Sequence, residues 1–250
     1  RNGDFGLKQS YGMARMLFEK AVAQGDSDAM SDLAFLHKKG QGGVQSFEKA
    51  FELYTMAVEQ GHVVAMNNLG GMYREGKGVA QSSKKAFELY TMAAEQGDPV
   101  AMYNLGWLYR DGIGVGQSLR KAIELFTGAA EQGHDTSMFE LGSMHYCGQG
   151  VVQSYIKAAE FWTMAAEKEH VIAMSNLGTL YMEGRGVDQS NGVARAWWTK
   201  AANEGDKDAI GNLKKLDKRE VIIAATTSLT TKATTPSSHC CAACNTPQTN

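Results

Sequence analysis

Residues 65–100 read AMNNLGGMYREGKGVAQSSKKAFELYTMAAEQGDPV, and the next 36 residues, 101–136, read AMYNLGWLYRDGIGVGQSLRKAIELFTGAAEQGHDT. The same pattern occurs three more times, after a half copy and before a short stub. The three copies start at Ala29, Ser137 and Ala173, the half copy spans 9–28, and the stub spans 209–216. Self-similarity at a fixed period of this length is typical of repeat proteins. The sequence of one unit therefore predicts the fold of the whole chain.

The first half of a unit has the pattern of a helix with one apolar face. Ala65, Leu69 and Tyr73 recur at i, i+4 and i+8, the spacing that places them on one side of a helix. In the next unit Asp98 is the predicted N-cap, and a proline follows it at the first helical position. Gly76 can adopt the positive φ that closes such a helix.

The second half of a unit is also predicted to be helical. Ser82 is the expected N-cap, residues 85–96 contain no helix breaker, and Gly97 is expected to end the helix. In the fourth unit Glu169 stands where this glycine is expected. The helix before Glu169 should therefore end less cleanly, at a cost of about 0.5–1 kcal/mol.

A glycine follows the leucine of the first helix in four units, and each costs about 1 kcal/mol of helix propensity relative to alanine. These glycines are Gly70, Gly106, Gly142 and Gly178. A cost repeated at one register predicts a close helix–helix approach that leaves no room for a side chain.

The repeated pattern A-M-x-N-L-G-x-x-Y-x-x-G-x-G-V…K-A-x-E-L-Y-x-x-A-A-E-Q-G resembles the Sel1-like repeat family, which is related to tetratricopeptide repeats. In the second unit the match is carried by Leu69, Gly70, Tyr73, Gly76, Gly78, Val79, Lys85, Ala86, Ala93, Ala94 and Gly97. The resemblance covers Gln9 to about Leu216. It implies an all-α, right-handed α-solenoid of about five full helix-turn-helix units with partial units at both ends. It also implies an adaptor or scaffold in protein complexes.

Composition divides the chain into three predicted segments. Residues 1–8 are short, polar and glycine-containing, and should be frayed. Residues 9–220 form the repeat domain, which ends in a charged stretch suited to a capping helix. Residues 221–250 are predicted to be a disordered tail, because their last 25 residues contain eight threonines and three serines and no repeat pattern.

Charge and hydropathy argue against two classes of partner. The chain carries 25 Lys and Arg against 27 Asp and Glu, a formal net charge of −2, so we expect no nucleic-acid partner. We expect no membrane insertion, because no apolar run approaches the ~20 residues that a spanning helix needs. The expected state is a monomer. Since the sequence opens at Arg1 and not at methionine, we expect a fragment or a processed product.

The cysteines give little support for a stapled or metal-bound protein. Cys147 is the only cysteine in the repeats, which fits a reducing compartment such as the cytoplasm. The tail carries His239, Cys240, Cys241 and Cys244, which are soft ligands at short spacing, but zinc needs four ligands held in a fixed geometry. We therefore expect no metal there.

Other motifs also have a simpler explanation than catalysis. Gly71, Gly76 and Lys77 fall one residue short of a phosphate-binding loop and follow no strand. Histidine and aspartate alternate at one slot where first helices begin, so we expect them to act as helix caps. These residues are His62, His134 and His170, with Asp26, Asp98 and Asp206. We predict no catalytic residue, no cofactor and no metal ligand.

Three positions of the first helix vary freely from unit to unit and lie on one helix face. They hold Ser31, Asn67, Tyr103, Phe139 and Ser175; Phe35, Gly71, Trp107, Ser143 and Thr179; and Lys38, Arg74, Arg110, Tyr146 and Met182. This face should line the concave side, where first helices stand side by side. In its middle it carries Tyr103, Trp107, Phe139 and Tyr146 beside Arg110, which are residue types enriched at binding hot spots. Packing against adjacent helices is the competing explanation.

A second column beside this face is rich in amides: Asp32, Asn68, Asn104, Glu140, Asn176 and Asn212. Side-chain amides at Asn68, Asn104 and Asn176 could hydrogen-bond the backbone of an extended peptide. The alternative is that each amide bonds its own loop or the next helix. Glu140 interrupts the column.

The sequence thus predicts a scaffold that binds partner proteins or peptides through its concave face. Two other readings stay open: a helical-repeat RNA-binding protein, which near-neutral charge disfavours, and the regulatory repeat region of a longer enzyme.

Overall fold

The computed structural model describes the backbone of residues 2–233 and the side chains of residues 10–223. This part of the chain forms twelve helices and no strand, which confirms the all-α prediction. The helices are α1 (Asn2–Val22), α2 (Ser27–Lys39), α3 (Phe47–Glu59), α4 (Val63–Glu75), α5 (Ser83–Glu95), α6 (Pro99–Asp111), α7 (Leu119–Glu131), α8 (Asp135–Cys147), α9 (Tyr155–Glu167), α10 (Val171–Glu183), α11 (Asn191–Asn203) and α12 (Lys207–Ala233).

The helices alternate as the two halves of each unit. The first helices are α2, α4, α6, α8 and α10, the second helices are α3, α5, α7, α9 and α11, and α12 starts a further unit. Each helix packs chiefly against the helices before and after it. One aromatic residue of every second helix lies at the same register and is at most 4% exposed: Tyr54, Tyr90, Phe126, Trp162 and Trp198. These five side chains form the centre of the core in successive layers.

The predicted helix caps are confirmed. The Asp98 carboxylate accepts a hydrogen bond from the backbone N–H of Ala101 at 2.6 Å, at the start of α6. The Ser82 hydroxyl accepts one from the backbone N–H of Lys85 at 3.3 Å, at the start of α5. Gly76 ends α4 with φ 67°, in the left-handed region that glycine adopts without strain.

The close approach predicted at the repeated glycines is also confirmed. A Cβ atom added to Gly70 would lie 2.8 Å from Cε1 of Tyr90, and one added to Gly106 would lie 2.8 Å from Cε1 of Phe126. At Gly178 it would lie 2.5 Å from Cδ1 of the Trp198 indole. The first helix of each of these units therefore lies directly against the buried aromatic ring of the second.

The predicted irregular end of α9 is wrong in its geometry. α9 spans 13 residues and ends at Glu167, which matches the 13 residues of α5. Backbone hydrogen bonds from Glu169 to Ala166 (3.0 Å) and from His170 to Ala165 (3.1 Å) close the turn. To form them, Glu169 adopts φ 64°, a left-handed conformation that is costly for a residue with a Cβ atom. The cost of losing the glycine thus lies in this strained residue.

Replacing Glu169 by glycine is therefore expected to stabilise the protein by about 1 kcal/mol, the typical cost of a left-handed non-glycine residue. Chemical denaturation of the full chain measures the change. Glu169→Ala is the matched control, because it removes the carboxylate but keeps the Cβ atom. Equal stabilisation by alanine and glycine would contradict the backbone explanation, and would point to repulsion between the carboxylate and the helix C-terminus.

Both terminal helices extend beyond the predicted boundaries. α1 already begins at Asn2, within the segment predicted to be frayed, and α12 continues to Ala233, within the predicted disordered tail. No proline interrupts residues 2–22 or 207–233, and glycines inside a helix reduce its stability without ending it. The remaining tail lies outside the described residues, together with its histidine and three cysteines. None of the helices described, α12 included, is both long and apolar enough to cross a membrane.

A chain that ends at Glu220 is expected to melt within about 2 °C of the full chain, since surface changes outside the core rarely exceed 0.5 kcal/mol. Leu216, only 2% exposed, is the last buried residue within the part that the structure describes. Limited proteolysis should likewise leave a resistant core ending near residue 220. A chain ending at Lys215 is the control, because it loses Leu216 and should be clearly destabilised. Equal melting temperatures of the two shortened chains would contradict this boundary.

Candidate partner-binding face

Most of the freely varying positions of the first helices line one surface, which we call the first-helix face, whereas Ser31 and Ser175 are buried. Side chains on neighbouring first helices meet there: Asn104 Nδ2 donates to Asn67 Oδ1 at 2.8 Å between α6 and α4. Arg110 Nη1 lies 2.6 Å from Glu140 Oε2 between α6 and α8. First helices therefore stand side by side on this face. The eight residues predicted to bind a partner are all half-buried: Asn68, Tyr103, Asn104, Trp107, Arg110, Phe139, Tyr146 and Asn176.

Trp107 lies between two arginines in the middle of the first-helix face. The guanidinium carbons of Arg74 and Arg110 are each 5.9 Å from the centre of its ring, within the range of a cation–π contact. Part of the ring packs on the core cluster formed by the first three units. Trp107 is thus held in place while part of its surface stays open to solvent.

Arg110 is neutralised by two acids. Its guanidinium pairs with Asp111 at 2.8 Å and with Glu140 at 2.6 Å. The hydrogen bond to Asp111 contributes most to raising the pKa of Arg110, and the charge of Glu140 adds to it. Glu140, which interrupts the amide column, therefore carries no uncompensated charge at this face.

Tyr103 and Phe139 serve the core as well as the surface. The Tyr103 ring centre lies 5.9 Å from that of Phe126 and 5.1 Å from that of His134. The Phe139 ring stacks on His170 at 4.6 Å. Burial raises the pKa of the Tyr103 hydroxyl. The packing explanation therefore applies to a large part of these two side chains.

Tyr146 packs against aromatic side chains of α9. Its ring lies 5.2 Å from Tyr155 and 5.3 Å from Trp162, and its hydroxyl accepts a hydrogen bond from Arg185 at 3.2 Å. Trp162 also stacks at 6.4 Å on Phe139. The structure thus brings Phe139 and Tyr146 together around Trp162, while Trp107 belongs to a separate group with its two arginines.

The amide column is partly paired within the protein. Asn68 donates to the Val64 carbonyl at 3.0 Å and accepts from Lys38 at 3.3 Å. Asn104 donates to Asn67. Among the described residues, the side chain of Asn176 forms no hydrogen bond. Asn68 and Asn104 thus bond within the protein, as the alternative explanation of the column expects, and the assignment of these amides to a peptide stays a prediction.

Two pockets open at the C-terminal half of the first-helix face, and sequence reasoning did not find them. The Trp162 pocket, about 270 Å³, lies between α8 and α10 and includes Ser143, Tyr146 and Asn176. The Trp198 pocket, about 150 Å³, lies between α10 and α12. In the third unit, Trp107 occupies the position that Ser143 occupies in the fourth. This exchange of a large residue for a small one is the feature of the sequence that could have indicated the Trp162 pocket.

The histidines of the shared slot are helix caps, as predicted. Nδ1 of His134 accepts a hydrogen bond from the Ser137 backbone N–H at 3.2 Å, and Nδ1 of His170 accepts one from that of Ala173 at 3.2 Å. Within the described residues, no group of three or more His, Cys, Asp or Glu could hold a metal ion. Cys147 is an exposed free thiol.

Acidification from about pH 7 to about pH 5 is expected to destabilise the protein, because a neutral imidazole must accept each of these cap bonds. Burial lowers the pKa of His134 and His170 from the ordinary value of 6.5, although nearby Asp98, Asp135 and Glu140 oppose this shift. The unfolded chain therefore binds more protons than the folded one in this window, and stability falls as pH falls. Each lost cap costs about 1 kcal/mol. Denaturation midpoints across this range measure the effect.

The control exchanges the two histidines for the residue that other units use. Asp98 and Asp206 form the same cap bonds at 2.6 Å. A chain with His134→Asp and His170→Asp should keep its caps and lose much of the pH dependence. An unchanged slope would show that the buried His37 and the half-buried His145, whose pKa values burial also lowers, cause it instead.

Comparison with a known family divides the chain into repeats that start one or two residues before the units described above. A family model described as Sel1 repeat matches residues 1–26, 27–62, 63–98, 99–134, 136–170 and 171–206. The crystal structure of a Sel1 repeat protein from Oxalobacter formigenes is 30% identical, with a TM-score of 0.79, over 83% of this chain and 84% of that one. No curated protein matches the chain.

A second solved structure is c5321, a protective antigen of uropathogenic Escherichia coli strains that has an SLR fold. It is 30% identical to this chain, with a TM-score of 0.76, and the match covers 81% of this chain. The chain spans only 43% of the length of c5321.

Proposed function

This chain belongs to the Sel1 repeat family, and on that basis we propose that it is a scaffold that holds partner proteins or peptides on its first-helix face. The observation that carries the proposal is the position of Trp107. A tryptophan held between Arg74 and Arg110, with part of its ring open to solvent, has the composition of a binding hot spot. Tyr103, Phe139 and Tyr146 contribute their exposed edges to the same face.

The charges on this face favour a protein over RNA. Arg110 is paired with Asp111 and Glu140, and Arg74 lies 3.1 Å from the carboxylate of Glu75. Phosphate recognition depends on cations that can exchange their counterions for the nucleic-acid backbone. Here the central arginines already have acidic partners and flank an aromatic ring. In this proposal the chain itself catalyses no reaction and supplies a surface.

Site-specific photocrosslinking tests the location of the surface. A benzophenone amino acid replaces Phe35 or Gly71, which lie on the first-helix face outside the residues proposed to bind, or Met92 or Met164 on the second helices, where these methionines are 44% and 43% exposed. We expect the same partner to be crosslinked from the first-helix positions and only background from the methionine positions. Crosslinks confined to Met92 and Met164 would overturn the proposal.

A further inference from the structure

We propose that the groove formed by α8, α10 and α12 binds an extended peptide that carries two apolar side chains three residues apart and an acidic residue beside them. This inference rests on the proposed scaffold function and assigns it a specific site and ligand. The groove consists of the Trp162 pocket and the Trp198 pocket, and Thr179 lines both of them.

The two pockets are copies of one another. Each residue that lines the Trp162 pocket has a counterpart lining the Trp198 pocket 36 positions later, as Asn176 has Asn212. Each pocket contains an indole that is only 4% exposed. Trp162 Nε1 donates to the carbonyl of Phe139 at 3.2 Å, and Trp198 Nε1 donates to that of Ser175 at 3.0 Å. These bonds fix both rings, so the apolar walls of the pockets are preformed.

The amides beside the pockets are available for a ligand. Asn68 and Asn104 are used within the protein, whereas the side chains of Asn176 and Asn212 form no hydrogen bond to any described residue. Both line the groove. A side-chain amide offers two N–H donors and a carbonyl acceptor, which match the backbone groups of an extended chain. Main-chain hydrogen bonding with pockets for individual side chains is a common mode of peptide recognition.

The distance between the pockets sets the spacing of the peptide side chains. Packed helices lie about 8–10 Å apart, and equivalent points on α8 and α10 are expected to differ by roughly that distance. An extended peptide in the polyproline II conformation advances about 3.1 Å per residue with three residues per turn, so side chains at i and i+3 lie on the same face. Side chains three residues apart therefore reach neighbouring pockets, and the small volumes favour residues of the size of leucine or valine.

The positive charges at the α12 end of the groove are the reason why we expect an acidic residue in the peptide. Lys215 and Arg219 line the Trp198 pocket, both are exposed, and neither forms an ion pair with another described residue. Glu183, the acidic residue of the same pocket, is paired with Arg185 at 3.0 Å. The neighbouring acids of α12 are used elsewhere, because Asp217 and Glu220 pair with Arg195. The open charge at this end is thus positive, and a peptide carboxylate complements it.

Selection from a displayed library of random decapeptides on the full chain tests the proposal. We expect enriched peptides to carry apolar residues at i and i+3 with an Asp or Glu within about three residues of them. The best peptide is then synthesised with a fluorescent label, and its dissociation constant is measured by anisotropy. Enrichment of peptides without this pattern would overturn the inference.

Filling one pocket provides the decisive variant. Ser143→Trp introduces the residue that the third unit carries at Trp107, so the fold already contains a precedent for it. This variant should weaken the selected peptide at least about tenfold, on the scale of a hot-spot loss, with unchanged circular dichroism. The double variant Lys215→Glu, Arg219→Glu should weaken binding of the peptide by a similar factor. The binding that remains should no longer depend on the salt concentration. Asn176→Ala, a small change, covers the case in which the tryptophan variant does not fold.

The outcomes separate this inference from the scaffold proposal. If Trp107→Ala abolishes peptide binding while Ser143→Trp leaves it within twofold, the groove is overturned and the scaffold proposal stands. If no peptide is retained, and crosslinking from the first-helix face gives only background, both are overturned. If a labelled single-stranded dodecanucleotide RNA binds more tightly than any selected peptide and Lys215→Glu removes that binding, the groove is a nucleic-acid site and the inference is overturned.

Discussion

Replacing Trp107 by alanine should weaken binding of the partner by roughly 2 kcal/mol or more, about thirtyfold in affinity. Truncating a hot-spot tryptophan typically costs this much binding free energy. The same change should cost much less stability than removal of a core tryptophan, since part of the Trp107 ring is open to solvent. The partner identified by crosslinking is titrated against both proteins, and thermal unfolding is measured on the same samples.

Trp162→Ala is the matched control for this experiment. Trp162 is only 4% exposed. Its replacement should lower the free energy of unfolding by about 3–5 kcal/mol, the usual cost of replacing a buried tryptophan by alanine. If Trp107→Ala destabilises the protein as much as Trp162→Ala does and leaves partner capture unaltered, Trp107 is a packing residue. Attention would then move to the open amides at Asn176 and Asn212.

The second large effect is expected at the repeated glycine. Gly70→Ala should destabilise the protein by about 1–3 kcal/mol, the usual cost of overpacking, although alanine is the better helix former. The added Cβ would lie 2.8 Å from a ring carbon of Tyr90, a residue that is only 1% exposed. Equilibrium denaturation measures the change.

Gly71→Ala, one residue further along α4, should have the opposite sign. Its Cβ would meet only the Tyr90 hydroxyl, at 3.7 Å, so the protein should gain up to about 1 kcal/mol from helix propensity. The first unit already contains the larger residue: Ala34 packs in the same cluster as Tyr54, and both are fully buried. A neutral Gly70→Ala would mean that α4 and α5 can separate in the same way as the helices of the first unit.

Local sequence was sufficient for the units and their caps because each depends on a few neighbouring residues. Asp98 and Ser82 bond backbone groups three positions away, and the glycine at the leucine register reports a contact within its own unit. The variation between units is also the basis for predicting the first-helix face as the partner-binding surface. The assignment of Trp107 and its neighbours to partner binding stays a prediction.

Features that depend on residues from different units were harder to predict. Whether Asn104 is free depends on Asn67 one unit away, and whether a pocket opens depends on the size of a residue such as Ser143 on the adjacent helix. Glu169 shows a further limit, because two backbone hydrogen bonds hold it in a conformation that its residue type disfavours. The helix ends at Asn2 and Ala233 differ from prediction since composition describes average tendencies and not the point where a helix stops.

The packing of each helix chiefly against its sequence neighbours has a consequence for how the chain folds. When contacting residues lie near one another in the sequence, only short loops have to form, and this costs little chain entropy. Proteins with such a low contact order fold quickly. Folding can begin in any unit and spread to both sides one unit at a time. A partner that binds across several units would therefore also affect folding. It would link units that contact one another only through the units between them.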